Sequence, residues 1–179
     1  MTADTSNLLH GAEAWLIAGL RRRADRARSL DGWVYSTLDA LLLDVGRLFT
    51  PAPWPSDDGA PPGDLGALLC GFALPGSGLR GALAYVEGWA ADWADFDHIA
   101  HAWCADPEGH ALDPAWPRPG MAYLGLSVRA EPARALMAER FGPLLHGADG
   151  SISPLAEQWM REGVPGDILA DVGRHVPKA

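Results

Sequence analysis

The tetrapeptide Asp106-Pro107-Glu108-Gly109 constrains this chain more than any other stretch of it. Pro presets φ at the second turn position, the Asp carboxylate accepts from nearby backbone, and Gly supplies the positive φ that closes a bulged hairpin. Two strands therefore meet at this turn, and a bulge at Gly109 sets their register. Asp106 pairs with His110, Cys104 with Leu112 and Trp103 with Asp113. Successive side chains alternate between faces, so His101, Trp103 and Ala105 share one face with Ala111 and Asp113, while Cys104 and Leu112 point the other way. His101 and Asp113 become diagonal neighbours, with Cβ atoms roughly 7 Å apart or less. A carboxylate that accepts from one imidazole nitrogen leaves the other as a base, which is the orienting half of a nucleophile-base-acid triad. The plainer reading is a solvated His and an Asp that only precedes Pro114.

The bulk properties bound what such a pair can serve. The 179 residues, 48% of them hydrophobic and 21% charged, suit one domain with a real core. A formal charge of −9 argues against a nucleic-acid partner, which calls for a basic stripe. The one basic cluster, Arg21, Arg22, Arg23, Arg26 and Arg28, reads as a solvated helix face. Neither a secretory leader nor a run of ~18 apolar residues is present, so a cytoplasmic protein without a membrane partner is expected. In that setting Cys70 and Cys104 are expected as free thiols. No CxxC, HExxH or spaced Cys/His set occurs, and no metal or other cofactor is expected. His98, His101 and Asp113 are a conceivable metal cluster, but they lack a fourth ligand.

Along the chain, helical spacing of Leu9, Ala12, Leu16, Leu20 and Ala24 predicts a helix over about 5–29. A second apolar helix runs from Trp33 to about Phe49, so that residues 1–49 form a helical hairpin. The proline-rich stretch 50–63 reads as a loop. Residues 64–128 then hold the core. Asp64 caps a helix through Leu74 that contains Cys70, Leu79 to Ala90 alternates as a strand, the hairpin follows, and Met121 to Val128 is a further strand. Residues 129–179 return to helices over 131–141, 154–161 and from Pro165-Gly166 to about Arg174.

Tyr85-Val86-Glu87-Gly88, His101-Ala102-Trp103, the polar turn, Leu112-Asp113-Pro114-Ala115-Trp116 and Ala122-Tyr123-Leu124-Gly125-Leu126 together carry a resemblance over about residues 64–128. They resemble the His and Asp strands of the transglutaminase-like, papain-related superfamily, in particular small bacterial and phage members. The resemblance implies a transglutaminase-like α+β fold, with an antiparallel sheet of about four strands flanked by N-terminal and C-terminal helices. It also implies a Cys-His-Asp triad whose Cys begins a helix ahead of the strands, where the dipole lowers the thiol pKa. Cys70 is then the nucleophile, His101 the base and later the acid, and Asp113 the residue that orients it. Gly71 stands where those members carry an aromatic residue, and their following Asn is absent. A Cys between Leu69 and Phe72 also reads as a small buried hydrophobe.

Cys104, on the face away from His101, reads as core. Glu87, Tyr85, Trp89 and Trp103 are the candidate substrate-binding residues, with Trp93 and Trp116 close enough to wall an apolar acyl or aromatic site. Glu87, among aromatics, needs a partner or a raised pKa. Two functions follow. One is a cysteine acyl hydrolase or acyltransferase acting on an amide, ester or thioester of a small-molecule or peptide acyl substrate. The other is a non-catalytic binding or accessory protein on a degenerate scaffold of the same kind.

Overall fold

Helical stripes at both ends of the chain and strand alternation between them produce a mixed α+β structure, seen here in a computed structural model. It describes residues 3–54, 83–93, 98–113, 115–116, 118–140, 142–147 and 149–178. The helix α1 (Ala3–Arg26) buries Ala12, Leu16 and Leu20 along one stripe. In α2 (Leu38–Val45) the Thr37 hydroxyl caps the first turn by accepting from Ala40 N at 3.0 Å, and Leu38, Leu41 and Leu42 are buried.

The apolar run through Phe49 does not stay helical. It breaks at Gly46, where a Cβ would stand 2.3 Å from the Leu42 carbonyl oxygen. Strand β1 (Arg47–Ala52) then sends Leu48 and Phe49 to opposite faces. The expected helix to Phe49 is thus overturned by pairing with a strand seventy-odd residues away: Arg47, Leu48 and Phe49 lie opposite Gly125, Leu124 and Tyr123. The expected loop from Thr50 also gives way, because Thr50, Pro51 and Ala52 belong to β1. The remainder of that loop from Pro55, the predicted helix with Cys70 and the predicted strand start at Leu79 lie outside the described residues.

Strands β2 (Ala84–Ala91), β3 (His98–Ala105), β4 (His110–Leu112) and β5 (Ala122–Val128) pair antiparallel in the order β4-β3-β2-β5, and β1 continues the order beside β5. The far edge of β1 meets β4 in parallel, from Thr50 opposite His110 to Ala52 opposite Leu112. Where a sheet of about four antiparallel strands is expected, the strands close into a five-stranded barrel. Five strands of alternating direction cannot close without one parallel pair, and β1–β4 is that pair. Pro51 shapes the closure. Thr50 N donates to Gly109 O across the β4 side, so the next nitrogen faces β5, and Pro51 has no N–H to offer there. The β1–β5 ladder accordingly ends at Phe49 opposite Tyr123.

The hairpin has the register that its turn dictates. Cys104 pairs with Leu112, Asp106 N donates to His110 O at 3.3 Å, and Gly109 takes φ 83°. Helices α3 (Ala130–Arg140) and α4 (Pro154–Glu162) follow, the second capped by Ser153 with proline in its first turn. No helix extends from Gly166 to Arg174. A single 3-10 turn at Gly166–Ile168 is followed by barrel-edge contacts in which Ala170 N donates to Ser127 O. Gly173 then turns at φ 84° into β6 (Arg174–His175), which pairs with β1. The edge of a barrel offers those backbone groups partners that a short, glycine-broken helix could not match.

The barrel has two apolar layers. Its outer face, with Tyr85, Leu124 and Leu126, packs under Leu16, Leu20, Leu41 and Leu42 of the helices. Its interior holds Phe49, Val86, Trp103, Ala105, Ala111 and Tyr123. Gly125 is what admits the Trp103 indole, since a Cβ there would stand 2.8 Å from Trp103 Cη2. Cys104 is on the outer, helix-covered face, as its register requires, but it is disulfide-bonded rather than the free thiol expected. Among the described residues no helix is long and apolar enough to cross a membrane.

Candidate functional site: a histidine and an aspartate in the mouth of the barrel

The face alternation of β3 carries His101 and Trp103 into the barrel, His101 nearer the end where β3 begins. Asp113, one residue past β4, enters from the neighbouring strand. The two meet with His101 Nε2 2.7 Å from Asp113 Oδ2. Nδ1 of His101 has no hydrogen-bond partner among the described residues. The Asp113 side chain is fully buried and that of His101 nearly so. A buried carboxylate must be satisfied, and here it accepts twice more: Tyr123 O–H donates to Oδ2 at 3.0 Å and Ala115 N to Oδ1 at 3.0 Å. The Tyr123 oxygen itself accepts from Gly120 N at 2.7 Å. Burial, and then the Asp113 charge, push the Tyr123 hydroxyl far above its usual range, so it stays a donor.

Aromatic rings hold the imidazole plane. Trp116 stacks on His101 with centroids 4.5 Å apart and planes 14° from parallel, and Trp103 lies on a similar tilt at 6.3 Å. Trp103 in turn contacts Tyr123 and Phe49. Ile99, on the same strand face two residues before His101, is 40% exposed at the mouth. Trp93 supports the loop after Trp116: its Nε1 donates to Pro119 O at 2.8 Å, and Arg118 covers its ring. The result is an imidazole with one nitrogen committed to a carboxylate, its ring clamped by tryptophans, at an apolar opening. Such an arrangement can accept and return a proton.

Of the candidates from sequence, the structure brings together His101, Asp113 and Trp103. It sends Glu87, Tyr85 and Trp89 to the opposite, helix-covered face, where the sheet separates them from His101. There Glu87 is a fully satisfied anchor. It accepts from Tyr85 O–H at 2.9 Å, Leu144 N at 2.6 Å, and His146 N and Nδ1 at 2.8 and 3.1 Å. Burial and this carboxylate hold the Tyr85 hydroxyl well above its usual range. Trp89 packs edge-on against His146, with Arg23 over its ring. Cys70 lies outside the described residues.

His98 does not join His101. It faces α1, stacked on Trp15 with Nδ1 3.0 Å from Arg23, so the His98-His101-Asp113 metal cluster does not form. Arg23 also grips Asp39 through two nitrogens at 2.8 and 3.0 Å, a partly buried tie between α1 and α2 rather than part of a solvated face. The carboxylate and imidazole groups of Asp106, Glu108 and His110 gather within 4.8 Å at the turn. Both oxygens of Asp106 are already taken by His110 N and Nδ1, however, which makes this a turn clamp.

Tyr123 and Gly120 are the members of the site that sequence reasoning missed. Tyr123 shows strand alternation with Gly125, but nothing local says which face of β5 looks at Asp113. That depends on the order of strands in the barrel. Comparisons of the chain with protein-family models, with curated proteins and with solved structures found no match.

Proposed function

We propose that the chain is a small acyl hydrolase or acyltransferase, of the kind its resemblance to the transglutaminase-like superfamily implies, with His101 as base and Asp113 as the group that orients it. The observation that carries this reading is the 2.7 Å contact of His101 Nε2 with a buried carboxylate, which leaves Nδ1 at the apolar mouth without a partner among the described residues. Cys70, as a reduced thiol, is the nucleophile in this proposal. Its thiol proton passes to His101 Nδ1, and the thiolate sulfur attacks the carbonyl carbon of an amide, ester or thioester. The tetrahedral intermediate collapses as the imidazolium returns the proton to the leaving amine, alcohol or thiol. Water, deprotonated by the same nitrogen, then releases the acid, or an acceptor amine takes the acyl group. The apolar rim of Ile99 and Trp116 suits a small-molecule or peptide substrate with an apolar acyl side.

A second reading rests on a different observation. Cys104 is disulfide-bonded, and the chain has one other cysteine, Cys70. A Cys70 tied up in a disulfide is no nucleophile, and the His101-Asp113 pair would then serve binding on a scaffold of the same kind.

Alkylation separates the two. Native protein is treated with iodoacetamide before and after a mild dithiol, in wild type and His101→Ala, and the modified residue is located by mass spectrometry. The enzyme reading expects Cys70 to label faster than a free thiol of pKa about 8.5 and to slow in His101→Ala. Labelling of Cys70 that is indifferent to His101, or absent until the protein unfolds, overturns it in favour of the binding role.

A further inference from the structure

Where β1 parts from β5 beyond Phe49, a seam opens between Thr50-Pro51 and Met121-Ala122, and α1 walls it from above. The seam is a pocket of about 340 Å³ with an apolar floor of Phe49, Pro51, Met121 and Ala122 and an apolar side wall in Leu9. This volume is at the small end of ligand sites, which are mainly apolar with a few oriented polar groups. Here the polar groups gather on one rim. His10 and Glu13 project from one face of α1, three residues apart. Arg174 of β6 reaches Glu13 with both terminal nitrogens, at 3.3 and 2.5 Å.

That fork uses the Glu13 carboxylate, whose side chain is 20% exposed, while Arg174 remains 54% exposed. What the rim still offers an incoming molecule is the unused edge of the guanidinium and the exposed His10 imidazole. An anion fits that remainder and a cation does not.

We propose that this seam is a binding site for a small carboxylic acid with an aromatic or branched aliphatic body. The body fills the space over Phe49, Met121 and Ala122, and the carboxylate meets Arg174 with His10 beside it. The seam is lined by neither His101 nor Asp113, so its test is independent of the acyl-transfer reading.

The test titrates phenylacetate, phenylacetamide and benzylamine into the full chain and follows the backbone amides of Thr50, Met121 and Ala122 in proton-nitrogen correlation spectra. Phenylacetate is expected to give saturable shifts at these amides, with affinity falling about tenfold in Arg174→Gln, as expected for loss of a charge-assisted contact. Leu9→Phe, which fills the pocket from the half-buried α1 side, is expected to abolish binding while the rest of the spectrum keeps its dispersion. Benzylamine binding as tightly as phenylacetate, shifts that do not saturate, or an Arg174→Gln variant that binds phenylacetate as well as wild type would each overturn the proposal.

Discussion

Replacing Asp113 with alanine takes the acceptor from three donors at one buried spot, and the cost follows from who is left behind. The Tyr123 hydroxyl still accepts from Gly120 N, but its own O–H loses Asp113 in a site with no exposure. An unsatisfied buried donor costs about 1–3 kcal/mol, and Tyr123 belongs in the upper half of that range. His101, with its side chain 13% exposed, and the half-buried Ala115 N–H can each turn partly to water, so about 1 kcal/mol apiece is appropriate. Against these stands the removal of a buried charge. The expected loss is therefore about 3 kcal/mol. With a urea m-value of about 2 kcal/mol/M for a domain of this size, the midpoint should fall by about 1.5 M in fluorescence-detected unfolding.

Asp113→Asn is the sharper companion. It keeps the shape, but an amide nitrogen turned toward His101 can only donate, so the imidazole must accept through Nε2 and carry its proton on Nδ1. Imidazole nitrogen shifts should report the Nε2–H tautomer in wild type and the Nδ1–H tautomer in the variant, with a midpoint change no larger than alanine causes, because Tyr123 O–H loses its acceptor in both. A midpoint shift below about 0.3 M for Asp113→Ala would refute the claim that the carboxylate holds three otherwise stranded donors. An Nδ1–H tautomer in wild type would refute the claim that Asp113 leaves Nδ1 free as a base.

Two other perturbations test the surroundings of the site. All three tyrosine hydroxyls are raised above 10.0 by burial and by a nearby carboxylate, Tyr35 to about 12 beside Asp44, and Tyr85 and Tyr123 well above the usual range. Raised folded values mean that this contribution to stability is complete below pH 10.0 and is lost as pH climbs through about 12 for Tyr35. Absorbance titration of native protein should show little phenolate at pH 10.0, where urea-unfolded chain is half ionised, and a native transition centred there would contradict the assignment. Gly125→Ala would place its Cβ 2.8 Å from Trp103 Cη2, Val86 Cγ1 and the Glu87 carbonyl oxygen, so a loss of about 1–3 kcal/mol is expected. Gly142→Ala, with nothing within 4 Å, should be near neutral, and equal unfolding midpoints for the two variants would show that the barrel interior is looser than described.

The sequence by itself determined what is local. A Pro-Gly turn of known φ requirements dictates a bulged hairpin, and a period-two pattern then puts His101 and Asp113 on one face and Cys104 on the other, as the contacts in the barrel bear out. The helices α1, α3 and α4 are legible for the same reason, since helical spacing, and in α4 the Ser153 cap and first-turn proline, are written within a few turns. The closure of the barrel is not, because it rests on β1 pairing with β5 and β4 across gaps of more than fifty residues. Nothing in Gly46-Arg47-Leu48-Phe49 announces those partners, and its apolar residues fit the preceding helix equally well.

The same long-range pairing decides which candidates meet. Glu87 and Trp103 are both apt for a site by composition, but the sheet puts one under the helices as an anchor for Leu144 and His146 and the other beside His101. Tyr123 reaches Asp113 because β5 and the hairpin face one another inside a closed barrel, and the seam pocket exists because Pro51 withholds a hydrogen bond from β5. Side-chain alternation tells which residues share a face. Only the closed ladder of strands tells what that face encloses.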